Sequence, residues 1–456
     1  MRRYGLLLLL IALFFLLAGC DTGEQAADAD AAAAAAEATP SITPSPVPPT
    51  ETSTPTPTST ETPVPVTVEP TPTRQALPEE LKMPIWEVQA GAASVRGLSP
   101  MTDVPEALIT RQQFRDMIKK ELEANDSKEE MRLYVRQLWL LRLAKDPSID
   151  WYEVSADLYS DGILGYYDPT TKEMFIITDK KELDPESSVT VAHEYVHNLQ
   201  DQNYHLDKMM PKDNTDQDRI MAYRSLVEGD ATLSGYAWAA TFMGEADYDS
   251  LFGKRESISP DVINRTPRYL GEGTIFPYSE GTNFVSEIIK VGGFSTVNVA
   301  LSDPPRSTEQ IMHPEKFLKT PIDQPVVVSL PPLTDTLGAG WTFKETNTLG
   351  EFDLKIMLEE NGAGDPSRGA AGWGGARYAD YQNGDTSLLY TLSTWDTEMD
   401  AVEFEGAMGE TFSKYPKDGD FWTDAGRFFA MKRTGFRVLF VASTDKGAVE
   451  RAMSAK

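Results

Sequence analysis

The run His193-Glu194-Tyr195-Val196-His197 narrows what this chain can become more than any other part of it. Residues four apart on an α-helix project from one face, so the run aims two imidazoles at one point with a carboxylate beside them. The flanking residues specify the helix. Asp184 followed by Pro185 is a helix start, a carboxylate N-cap with proline at the first helical position. The spacing predicts a helix over roughly 185–202 that buries Val189, Ala192, Val196 and Leu199. Zinc suits imidazole nitrogen, and a catalytic zinc site keeps three protein ligands and leaves the fourth position for water. With Zn2+ there, Glu194 is placed as the general base.

The first residues point out of the cytoplasm. Met1-Arg2-Arg3 is positively charged, Leu6 to Ala18 is apolar without a break, and Leu17-Ala18-Gly19-Cys20 ends the run on small residues. That is a signal peptide over residues 1–19 with its cleavage site, and it is shorter than the roughly 20 apolar residues that span a bilayer. Cys20 is the only cysteine among 456 residues, so no intrachain disulfide can form and its thiol must serve something else. The sequence LAGC resembles the lipobox of bacterial lipoproteins, in which the cysteine becomes the lipid-modified first residue of the mature chain. The resemblance implies lipidation at Cys20, attachment to the membrane through that lipid, and a place in the bacterial cell envelope on the extracytoplasmic side.

From about residue 20 to 80 the composition is alanine and then proline and threonine in near alternation, which can neither build a core nor keep helical hydrogen bonds. Such a stalk runs extended and holds a folded body away from the membrane. A net charge of −28 excludes nucleic acid as a natural partner, since phosphate binding needs clustered Lys and Arg. Folded sequence begins near Leu81. Residues 81–330 read as one mainly helical domain: helices across Val104 to Ala144, a hairpin at Gly162 to Ile177 around Asp168-Pro169, the motif helix, and a helix from about Asp218 to Phe242. Residues 331–456 read as a smaller α+β domain, with strands at Thr386–Thr394, Arg427–Arg433 and Phe436–Ser443 and helices at Thr397–Tyr415 and Lys446–Ala455. The overall class is α+β.

The third ligand separates the relatives of such a motif. The extended metzincin pattern needs Gly at position 200 and His at 203, where this chain has Gln200 and Asn203. The sequence instead resembles the gluzincin class of zinc metallopeptidases, and more narrowly exported bacterial proteins with an HE-x-x-H-x-L-Q-D-Q stretch followed by E-G-D-A. The resemblance covers roughly residues 160–320. It implies a zincin-like fold, peptide or protein substrates, and Glu228 of Glu228-Gly229-Asp230-Ala231 as the third ligand, with His205 the other candidate. Asp201 and Asp230 are candidates to hold a ligand in its tautomer; the acid that gluzincins often carry four residues after the ligand glutamate is Thr232 here. Stretches around Tyr278 and His313 are similar to segments of the same exported proteins, and offer donors to a developing oxyanion. The strand near Tyr166 and Tyr167 is open to two readings, packing or pairing with an extended peptide. Gly406-Ala407-Met408-Gly409-Glu410 superficially resembles an aminopeptidase motif, but lies in the wrong domain, lacks the Asn and carries no reading.

These features lead to a lipid-anchored zinc peptidase. Two alternatives compete with it: a surface-displayed binding lipoprotein whose zinc site is structural or vestigial, and a zinc hydrolase acting on a non-peptide bond. An intact Glu194 speaks against the first, since a structural site needs no base beside the metal.

Overall fold

A computed structural model describes residues 10–13 and 75–455, apart from 126, 178–181, 213–214 and 254–258. Cys20, the stalk up to residue 74 and the signal peptide apart from residues 10–13 lie outside the described residues. The last stretch assigned to the stalk is folded: Gln75–Ala76 pairs in a sheet and a helix begins at Glu79, so folded structure starts before Leu81. The fold is α+β, built around two sheets.

The first sheet has five described strands in the order β1 (Leu10–Leu13), β4 (Ile163–Asp168), β5 (Glu173–Ile177), β3 (Glu106–Ile109), β2 (Gln75–Ala76). β4 and β5 are the expected hairpin, pairing from Gly165 with Ile176 to Asp168 with Glu173. The Asp168 side chain closes the turn by accepting from the N–H of Thr170 at 2.8 Å. β3 runs parallel to β5 and corrects the expectation of helices alone across Val104 to Ala144. Four residues are too few to show a period of two, and Ala107, Leu108 and Ile109 are all buried, so no polar alternation marks the strand.

Longer helices cover this sheet and one another: α1 (Glu79–Arg96), α2 (Arg111–Asn125), α3 (Lys128–Leu140), α4 (Trp151–Gly162), α5 (Pro185–Tyr204), α6 (Gln217–Phe242) and α7 (Arg268–Gly292). α5 starts as its sequence dictates, with the Asp184 carboxylate accepting from the N–H of Ser187 at 2.8 Å. Its Val191, Val196 and Leu199 are fully buried, each contributing roughly 1.5–3 kcal/mol. α6 and α7 lie side by side in the same direction, brought to backbone contact by glycine. A Cβ on Gly229 would fall 2.1 Å from the carbonyl oxygen of Gly281, and one on Gly281 would fall 2.1 Å from that of Ser225. Among the described residues no single helix is long and apolar enough to cross a membrane.

The second sheet is antiparallel, in the order β6 (Thr342–Thr348), β7 (Trp373–Asn383), β8 (Thr386–Trp395), β12 (Arg437–Ser443), β11 (Arg427–Thr434), β10 (Phe421–Asp424), β9 (Lys417–Asp418). β12 shows the strand period: Val438, Phe440 and Ala442 face one core while Val441 faces another. On the first side lie α8 (Glu351–Glu360) and α9 (Glu398–Ser413), and that core is continuous with the one around α5, α6 and α7. On the other side lies α10 (Lys446–Met453), which closes a smaller core with Ala448, Val449 and Ala452.

Candidate metal centre

α5 and α6 deliver three donors to one buried point. The Nε2 atoms of His193 and His197 are 3.0 Å apart, and Oε2 of Glu228 lies 3.3 Å from the first and 3.2 Å from the second. Ligand atoms held about 2.0–2.2 Å from a tetrahedral ion are separated by about 3.3–3.6 Å, so the three sit within a few tenths of an ångström of that spacing. These are the residues among those described whose ligand atoms group as a metal site would. All three are buried.

The chemistry of the donors fits a cation. The His197 Nδ1–H donates to Oε1 of Gln200 at 2.9 Å, which leaves the lone pair of Nε2 facing the cluster. Gln200 cannot turn its amide over, because its Nε2 donates to the Val227 carbonyl at 3.0 Å and to Oδ2 of Asp230 at 2.8 Å. Asp230 in turn is held in a fully buried ion pair with Arg96 of α1, 2.6 Å from the guanidinium Nε to Oδ1. The Arg96 guanidinium also donates to Asn298 at 2.8 Å and lies over the ring of Phe294. A relay of four side chains on three helices thus fixes one imidazole tautomer.

Electrostatics within the cluster follow the same geometry. Burial opposes the charge on Glu228, but His197 and His193 outweigh it and hold the carboxyl down at about 2. Burial likewise disfavours the imidazolium of His197, yet the adjacent Glu228 raises it above the ordinary histidine range. His193 goes the other way, lowered chiefly by burial. Glu194 is buried next to His193, and its charge reaches both His197 and the Tyr278 hydroxyl. β4 packs over it: a Cβ on Gly165 would meet the Cγ of Glu194 at 3.4 Å and Thr190 at 2.8 Å.

The structure treats the remaining sequence candidates differently. Tyr278, on α7, is brought to the cluster with its ring stacked 6.2 Å from that of His193. Burial pushes its hydroxyl far above the ordinary tyrosine range, and the Glu228 charge adds to this. Asp230 reaches His197 through Gln200. Asp201 is not on an imidazole; it accepts from the Tyr167 hydroxyl at 2.8 Å, the Lys172 ammonium at 2.6 Å and the N–H of Leu206 at 3.1 Å, tying the hairpin to the end of α5. His205 is the C-cap of α5, in a left-handed conformation with φ 56°. His313 is not brought to the cluster either. Its Nε2 pairs with Glu351 at the start of α8 at 2.9 Å, and this pairing raises its affinity for a proton. Tyr166 packs, stacked on Phe175 at 4.6 Å, with its hydroxyl on the Met117 sulfur.

Gln200 and Arg96 are joined to the cluster although spacing did not single them out. Gln200 stands one turn after His197 in the very stretch that carries the resemblance, so its position held a signal. Arg96 lies a hundred residues upstream, and no local pattern announces it.

Residues 340–453, which hold the second sheet, match the family model described as Domain of unknown function (DUF8575). No curated protein and no solved structure matches the chain.

Proposed function

We propose that this chain is a lipid-anchored, extracytoplasmic zinc-dependent peptidase with a zincin-like catalytic unit of the gluzincin type. The observation that carries the reading is the convergence of His193, His197 and Glu228 at 3.0–3.3 Å, with the His197 tautomer locked by Gln200. These three residues would hold Zn2+, which when bound supplies an activated water and polarises the scissile carbonyl. Glu194 takes the proton of the attacking water and returns it to the leaving amine. The Tyr278 hydroxyl, kept protonated by burial, donates to the oxyanion that forms.

The outer edge of β4 supports an extended substrate. It pairs antiparallel with Leu10–Leu13 from Leu10 with Tyr167 to Leu13 with Ile163, so it accepts a backbone lying beside Glu194. Cleavage before Cys20 removes that strand and returns the edge to a substrate peptide, while lipid on Cys20 and the stalk hold the body at the envelope membrane. A glutamate buried beside three potential ligands favours catalysis over a structural metal.

Metal analysis of the purified protein, paired with digestion of a mixed peptide library by wild type and Glu194→Gln, tests the reading. Wild type is expected to bind one zinc per chain and to cleave; the variant keeps its zinc and loses cleavage by a factor of about 100 or more. Equal cleavage by both proteins, or a chain that binds no zinc, overturns it. Zinc without cleavage by either points to the binding-protein alternative.

A further inference from the structure

A cavity of about 150 Å³, a space of the size that takes up a benzene ring, is lined by residues about one helical turn from the centre and by none of the candidate ligands themselves. Two helical faces lead from it to the candidate ligands. On α6, Met221 and Arg224 line the cavity and Glu228 is the next residue on the same face, since 221, 224 and 228 recur at helical spacing. On α7, Leu270 and Thr274 line it, and Tyr278 follows one turn later. Tyr159 of α4 belongs to the wall too, and Arg224 and Tyr159 are both close enough for their charges to act on the Tyr278 hydroxyl. The cavity therefore begins about one helical turn from the metal centre and extends away from it toward Phe352 of the C-terminal unit.

The wall is chiefly apolar and contains a single cation, Arg224. Among the described residues no carboxylate pairs with this half-buried guanidinium. The acids of the wall are already engaged elsewhere: Asp218 accepts from the Thr308 hydroxyl at 2.6 Å, and Asp353 from the Tyr269 hydroxyl at 2.8 Å. The Arg224 guanidinium is reached by water and free to take an anion, and a carboxylate is the planar group that its fork of N–H donors matches. The axial offset of four residues between Arg224 and Glu228 is about 6 Å. One residue of an extended peptide covers about 3.3–3.6 Å. A carboxylate one residue beyond a carbonyl held at the centre thus falls within reach of Arg224.

We infer that the cavity is a subsite for the last residue of a substrate: it receives a bulky apolar or aromatic side chain while Arg224 holds that residue's free α-carboxylate. This deepens the peptidase reading and rests on it, making the action that of a carboxypeptidase. Gly273 gives an independent handle. A Cβ there would lie 3.9 Å from Met221 and Phe352, in ordinary contact, so a leucine side chain at 273 grows into the cavity without forcing the backbone.

Calorimetric titration with N-acetylphenylalanine, its amide and N-acetylalanine tests the subsite apart from catalysis, using zinc-loaded wild type, Arg224→Gln, Arg224→Lys and Gly273→Leu. Wild type is expected to bind the phenylalanine acid at least about tenfold more tightly than either of the others. Arg224→Gln should erase the acid-over-amide preference, Arg224→Lys should restore part of it, and Gly273→Leu should erase only the preference for phenylalanine over alanine. Equal binding of acid and amide by wild type, or an unchanged preference in Arg224→Gln, overturns the inference. Hydrolysis of peptides with free and amidated C-termini then separates the two levels. Equal cleavage of both forms removes the subsite and leaves the peptidase. The expected binding pattern with no cleavage of any peptide supports the subsite and removes the peptidase.

Discussion

At the scale of single residues, Gln200 sets which nitrogen of His197 faces the cluster. Its oxygen accepts the His197 Nδ1 proton only because its nitrogen is committed to Val227 and Asp230. Replacing it with alanine releases the imidazole to either tautomer and leaves Asp230 short of a donor. Gln200→Ala is therefore expected to weaken zinc binding about 10- to 100-fold, read by competition with a chelating dye, with helix content by circular dichroism unchanged. Zinc affinity equal to wild type would show that the relay does not set the tautomer. The convergence of His193 and His197 was legible, because a helix repeats in space what the sequence writes at i and i+4. Glu228 was reached through a resemblance, and its Oε2 lies 3.3 Å and 3.2 Å from the two imidazoles. Asp201 and His313 show the limit: an acid or a histidine near the motif says nothing of which way its side chain turns. Asp201 turned to Tyr167 and Lys172, and His313 to Glu351.

At the scale of elements, the crossing of α6 and α7 sets how close Glu228 and Tyr278 come to the histidines. The glycines at 229 and 281 let the two backbones touch, so Gly229 of the E-G-D-A run is a packing residue next to Glu228. Gly229→Ala puts a methyl group 2.1 Å from a carbonyl oxygen. The helices must part, at a cost of about 1–3 kcal/mol by overpacking that exceeds the roughly 1 kcal/mol alanine gains in a helix. A lower denaturation midpoint is expected together with weaker zinc binding, since Glu228 moves with the helix. Gly406→Ala is the control: it lies within α9 with nothing within 4 Å of the added carbon, and should stabilise by about 0.5–1 kcal/mol. If both substitutions stabilise, the close crossing is wrong. α5, α6 and the hairpin were legible from caps and periodicity. α7 was not, because Pro277 lies inside it and reads as a break, although the helix runs through from Arg268 to Gly292. β6 and β7 escaped too, since the polar residues of β6 and the near-continuous burial of β7 hide the alternation that marks a half-buried strand.

At the scale of the whole molecule, the two sheets are joined across a seam that carries buried acids. Gln137 of α3 donates to Glu345 of β6 at 2.6 Å and to Asp380 of β7 at 2.8 Å, linking the helical body to the C-terminal unit. Burial pushes the Asp380 carboxyl up to about 7, with the Gln137 hydrogen bond opposing and the Glu345 charge adding. Asp353, in the same seam, is raised by burial to about 6. The sign follows from where the protons sit. An unfolded aspartate has a pKa of about 3.9. Between there and about 7 the folded chain holds a proton on Asp380 that the unfolded chain has lost. The stability this group confers is complete below the unfolded value and is lost as pH rises through the folded one. Asp380→Asn keeps an oxygen for Gln137 and removes the charge. Urea denaturation at pH 5 and pH 8.5 should show wild type losing on the order of a few kcal/mol more than the variant across that interval. Asp353 is present in both proteins, so its share of the fall cancels in the comparison. Parallel losses in the two proteins would mean that Asp380 is ionised in the folded state at both pH values, and the seam would then be a charged junction bridged by Gln137, not a neutral one.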